Sequence, residues 1–149
     1  SISHWWWDAY KTTDRSMTKL MLTGMTDKSV SELIPLTKSW AHPAEIDVKQ
    51  NINQAKYMPE ERAYQMVLDR KIESLDFVLK GSEESPVINP AFVIENWGNN
   101  EVELKINGVL VKRGEDFRYG FRESLESTDL IVWLRLETNE EITFSLKSK

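Results

Sequence analysis

The sequence predicts a mainly β protein, an antiparallel β-sandwich preceded by a short helical N-terminal segment. Three features lead there. Apolar residues keep a helical spacing up to His42-Pro43 and alternate strictly beyond it. Downstream, short alternating runs recur, each closed by Gly, Pro, Asn or Ser, as in stacked antiparallel sheets. One junction, Asn107-Gly108, is the dipeptide of a tight hairpin turn. The chain divides accordingly into a helical segment, residues 1–43, and a sandwich domain, residues 44–149.

In the helical segment, Thr13-Asp14 caps a predicted helix that carries Met17, Leu20 and Met21 on one face and ends near Gly24. A second helix is announced by Ser29-Val30-Ser31-Glu32, the spacing of a capping box. Val30, Leu33, Ile34 and Trp40 share its apolar side, so Trp40 is expected to be buried. Pro35 predicts a kink, or a start nearer Leu33.

The first predicted strand is Glu45 to Lys49, and the polar stretch Gln50 to Arg62 reads as a loop with a turn at Pro59. Tyr64, Met66 and Leu68 mark a second strand, and Leu75, Phe77 and Leu79 a third. The apolar run from Val87 to Trp97 is interrupted by Asn89-Pro90, which predicts an edge position or a bulge. In the Asn107-Gly108 hairpin Ile106 should face Val109 and Leu104 should face Val111. Phe117, Tyr119 and Phe121 mark the next strand. Asp129 to Glu137 follows, apolar on one face through Leu130, Val132, Leu134 and Leu136. Its other face carries Ile131 and Trp133, so something must cover that side in part. Ile142, Phe144 and Leu146 close the domain, for eight or nine strands in all. Phe77, Leu104, Ile106, Val132, Leu134 and Phe144 should point inward, with Trp97 and Trp133 in the core.

Composition narrows the function classes. The chain has 149 residues, a net charge of −5 and no basic block, which makes nucleic acid a poor partner, and none is expected. No apolar run approaches the roughly 20 residues of a membrane span, so no membrane partner is expected. A signal peptide is not seen. There is no cysteine for disulfides or thiolate metal sites. Gly-rich phosphate loops and a Gly-x-Ser-x-Gly elbow are missing too, and no cofactor is expected.

The most informative run is Ser3-His4-Trp5-Trp6-Trp7-Asp8-Ala9-Tyr10. Neither helix nor strand puts three successive indoles on one face. At least one must therefore meet solvent, a ligand or another polypeptide. Trp5, Trp6, Trp7 and Asp8 are candidates for binding carbohydrate, with indole faces packing on the C–H faces of sugar rings. The competing role is to seat the N-terminal segment on the sandwich or on a further domain. His4, Tyr10 and Arg15 are the candidates for catalysis. Eliminative cleavage of an acidic polysaccharide needs a cation on the uronate carboxylate and a Tyr or His to take the C5 proton. His4 and Asp8 lie four apart, but two ligands do not make a metal site. Arg113, Arg118, Arg122 and Arg135 would grip carboxylate or sulfate if gathered on one outward face. Glu115, Asp116, Glu123 and Glu126 are interleaved with them, so a cross-strand ion-pair lattice is expected instead.

Asn89-Pro90-Ala91-Phe92-Val93-Ile94-Glu95-Asn96-Trp97-Gly98, the Asn107-Gly108 hairpin and Gly114-Glu115-Asp116-Phe117-Arg118-Tyr119-Gly120 together have a familiar texture. It resembles the C-terminal β-sandwich regions of large secreted bacterial polysaccharide-degrading enzymes, hydrolases and lyases alike. The resemblance covers roughly the last two-thirds of the chain. It implies an accessory module that supports or extends a carbohydrate-binding cleft, with the helical segment as the tail of a preceding catalytic domain. Implied partners are a polysaccharide or oligosaccharide and the remainder of a larger polypeptide, in a secreted or periplasmic setting. A start at Ser1 without an initiator Met is compatible with a processed chain or a fragment. Alone, the chain is expected to show no hydrolase or lyase activity. The alternative is a non-catalytic structural or assembly domain that docks on another protein through its Trp-rich N-terminus.

Overall fold

The computed structural model of the chain describes residues 30–149. The helix expected around Met17 and Leu20 lies outside the described residues, as does Ser29 of the capping box. The second helix, α1 (Val30–Ala41), forms with Pro35 inside it. Proline there removes one backbone hydrogen bond of the ladder. Thr37 Oγ1 and Ser39 Oγ donate back to the carbonyls of Ile34 and Leu36, at 2.9 and 2.6 Å. The helix ends where predicted, with His42 N still donating to Lys38 O before Pro43 stops the run.

Two sheets of five strands make the sandwich. The first runs β1 (Glu45–Val48), β4 (Ser74–Lys80), β12 (Glu141–Ser148), β7 (Val102–Ile106), β8 (Val109–Val111). The second runs β2 (Gln54–Met58), β3 (Ala63–Val67), β6 (Ala91–Glu95), β10 (Thr128–Leu134), β9 (Phe117–Glu123). A two-stranded ribbon pairs β5 (Val87–Ile88) with β11 (Glu137–Thr138). Pairing is antiparallel throughout except between β3 and β6, which run parallel. The chain between those two passes through the first sheet and the ribbon, which supplies the long crossover a parallel pair requires.

The inner faces meet in one core. Phe77 and Phe144 of the first sheet surround Phe92 of the second, with ring centroids 4.9 and 5.3 Å from it. Met66, Leu75, Leu104, Leu130, Val132, Leu134 and Leu146 complete the contact, none more than 1% exposed. Burying each such side chain contributes about 1.5–3 kcal/mol. Five of the six residues expected to face inward are fully buried. Ile106 points the same way, opposite Phe144, but stays half-buried because only the short edge strand β8 lies beyond it. The hairpin register is the expected one, Ile106 with Val109 and Leu104 with Val111.

Some expectations need correction. Among the described residues twelve strands form where eight or nine were expected, and Ile34, placed on the apolar side of α1, is 46% exposed. Gln50 to Arg62 is not all loop, because Gln54–Met58 forms the edge strand β2. An edge strand pairs on one side only and buries little, so it has no need of strong apolar alternation. Asn89-Pro90, by contrast, meets the bulge alternative: between the pairs Ile88–Glu137 and Ala91–Trp133 these two residues lie opposite three, Leu134, Arg135 and Leu136. The bulge marks the break where the chain leaves the β5 ribbon for the central strand β6. Asn89 takes a positive φ of 44° there, and its side-chain Oδ1 accepts from Leu136 N. Trp133 is half-buried on the outer face of the second sheet, not in the main core. It packs there with Ala63, Ala91, Val93 and Ile131, a second apolar cluster in which Ile131 is wholly buried. The sheet is thus apolar on both faces, as the Ile131 and Trp133 pattern required.

Candidate functional site

His4, Trp5, Trp6, Trp7, Asp8, Tyr10 and Arg15, all the residues singled out for catalysis or sugar binding, lie outside the described residues. Among the described residues the arrangement best suited to a ligand is a cleft where α1 and the β5 ribbon meet the edge of the second sheet. Ser39, Trp40, Tyr57, Arg62, Tyr64 and Asn89 line it, with Pro86 and Pro90 behind them. Its enclosed space is about 30 Å³, room for a water molecule, and it opens to solvent.

Each wall has a local cause. The last turn of α1 carries Trp40, which is half-buried where full burial was expected. Cross-strand partners Tyr57 and Tyr64 sit edge to face with centroids 4.9 Å apart. Tyr64 donates its hydroxyl to Ala44 O at 2.8 Å, and burial drives its pKa far upward. Burial raises Tyr57 as well, against the opposing charge of Arg62. Arg62 closes the β2–β3 loop, in which Glu61 N donates to Met58 O and Arg62 N to Pro59 O. Pro59 holds the second position of that turn with its φ already set.

Arg62 itself adopts a φ of 52°, the left-handed region that Gly or Asn enters easily. Holding another residue there costs about 1–3 kcal/mol. The guanidinium lies over the Trp40 ring, 3.7 Å from its centroid. This cation–π stack clamps α1 to the sandwich. Among the described residues no carboxylate pairs with Arg62. Reading Gln50 to Arg62 as a loop concealed both Tyr57 and Arg62. Nothing local in the sequence says that Trp40 and Arg62 will meet, since the contact is made by folding.

Three of the other arginines form separate ion pairs and not a lattice, mostly with acids other than those expected. Arg113 pairs with Glu101, Arg122 with the buried Asp129, and Arg135 with Asp116. Arg118 lies 5.8 Å from the Trp133 ring centroid. Tyr119 is buried, with Glu101 accepting from its hydroxyl and Arg113 stacked 3.8 Å from its ring centroid. Burial foremost, and the bond to Glu101, raise the Tyr119 pKa. Tyr119 is 3% exposed, whereas the side chains of Arg113 and Glu101 are 54% and 61% exposed, and the three together pin β9 to the start of β7. A second hollow, about 80 Å³, lies on the outer face of the second sheet between Glu61, Ala63, Gln65, Val93 and Arg122. Among the described residues no three His, Cys, Asp or Glu converge to hold a metal ion, and no helix is long and apolar enough to cross a membrane.

Comparison with protein-family models, curated proteins and solved structures gave no match. The functional reading therefore rests on the chemistry of the residues themselves.

Proposed function

We propose that this chain is an accessory β-sandwich region of a secreted or periplasmic polysaccharide-degrading enzyme, supporting or extending its carbohydrate-binding cleft. The observation that carries this is the cleft at the junction of α1 and the second sheet, where Trp40 and Tyr57 adjoin Arg62, Ser39 and Asn89. Sugars are recognised by that mixture, ring faces against their C–H surfaces and a few polar groups for their hydroxyls. Because the enclosed space is water-sized, a sugar would lie across the mouth of the cleft and not within it. Trp5, Trp6, Trp7 and Asp8 are assigned to the same task on sequence grounds.

Calorimetric titration of the whole chain with neutral and acidic oligosaccharides tests this proposal, with tryptophan emission followed in parallel. Saturable binding of either class is expected, without turnover. Failure of every glycan to bind would remove the proposal.

A second reading, a structural or assembly domain docking through its Trp-rich N-terminus, draws on the sequence, since neither helix nor strand puts the three successive indoles of Trp5, Trp6 and Trp7 on one face. Retention of a partner protein by the chain, lost when Trp5, Trp6 and Trp7 are replaced together, would favour that role.

A further inference from the structure

We infer that the mouth of this cleft is a carboxylate site, with Arg62 as the residue that grips it, so that the glycan taken is one containing uronic acid. This rests on the carbohydrate-binding role proposed above and specifies its substrate class. Four observations converge. The guanidinium carbon lies over the Trp40 ring, 3.7 Å from its centroid, and a guanidinium held against an aromatic face can still donate from its N–H edge. Among the described residues no acidic side chain pairs with Arg62, although Arg113, Arg122 and Arg135 each have one. Glu61, its neighbour in the turn, lines the hollow on the outer face of the sheet and not this cleft. Finally, Arg62 occupies a backbone conformation that Gly or Asn would adopt with less strain, so the turn alone does not call for arginine.

A planar carboxylate takes two parallel hydrogen bonds from such a guanidinium. Tyr57, close enough for the Arg62 charge to act on its hydroxyl, is placed to contribute to the same pocket mouth. The sugar that bears the carboxylate would then lie across the mouth of the cleft beside Tyr57.

The test compares a short oligogalacturonate, its methyl ester and a neutral xylo-oligosaccharide, each titrated calorimetrically into the full chain. The free acid is expected to bind at least about tenfold more tightly than the ester, with the preference shrinking as salt is raised. Arg62→Gly and Arg62→Asn both suit the positive φ, and their thermal midpoints report that the fold is kept. Each should abolish the preference for the acid, and Arg62→Lys, which keeps the charge but loses the fork, should weaken it. Equal binding of acid and ester, or a preference unchanged in folded Arg62→Gly, would overturn the carboxylate site. Neutral glycan binding in those cases would leave the broader carbohydrate role standing. No binding by any of the three would sink both.

Discussion

Arg62 and Asn107 occupy the same region of backbone space, at φ 52° and 50°, for opposite reasons. Asn107 is at home there, and it uses its side chain as well. Its Oδ1 accepts from Thr143 N while its own N donates to Thr143 O, which ties the hairpin turn to β12. Gly108 follows at φ 81° with open space around it, so only the backbone penalises a side chain at that position. Gly108→Val should cost about 1–3 kcal/mol, read as a lowered urea midpoint with an unchanged slope. Arg62, by contrast, is strained where it sits and is held by its stack on Trp40. Tyr64 offers a cleaner single-residue test. Tyr64→Phe leaves the Ala44 carbonyl without its buried donor and should cost about 1–3 kcal/mol in the same measurement.

At the scale of elements, much of the assembly depends on short polar bridges between segments far apart in sequence. Gln50, in the connection between β1 and β2, donates to Asp76 Oδ2 at 2.9 Å and accepts from Asp76 N at 2.7 Å. Gln50→Ala removes both bonds and should lower stability by about 1–3 kcal/mol in chemical denaturation. Gly81 holds the end of β4 against the Glu140 carbonyl, where an added Cβ would collide with backbone. The β2 edge was illegible in sequence for a related reason. Its contribution is made through pairing with β3 and through two inward residues, Ala55 and Tyr57, and not through a pattern of its own.

For the whole molecule, the ring cluster of Phe77, Phe92 and Phe144 joins the two sheets. Phe92→Ala should therefore cost about 3–5 kcal/mol and broaden or lower the thermal transition. Acid should weaken the fold through Asp76. Hydrogen bonds from Ser145 first, then from Gln50 and Ser74, hold its carboxyl below the usual aspartate range against partial burial. A depressed folded pKa means the contribution is complete above the unfolded value and is lost as pH falls through the folded one. Thermal midpoints measured from about pH 6 down to about pH 2 should fall less steeply for Asp76→Asn than for the unaltered chain.

By itself the sequence determined the β class, the helix-to-strand change at His42-Pro43, the Asn107-Gly108 register and most of the inward-facing set. Each of these follows from local periodicity or from turn chemistry, which act between near neighbours. Only the tertiary structure decided the pairing of the sheets, the parallel β3–β6 step, the acids chosen by the arginines and the stacking of Arg62 on Trp40. Those depend on which distant segments come together, and alternating strands of similar composition leave that choice open. Two residues 22 positions apart in sequence line one cleft because α1 folds back against the β2–β3 turn.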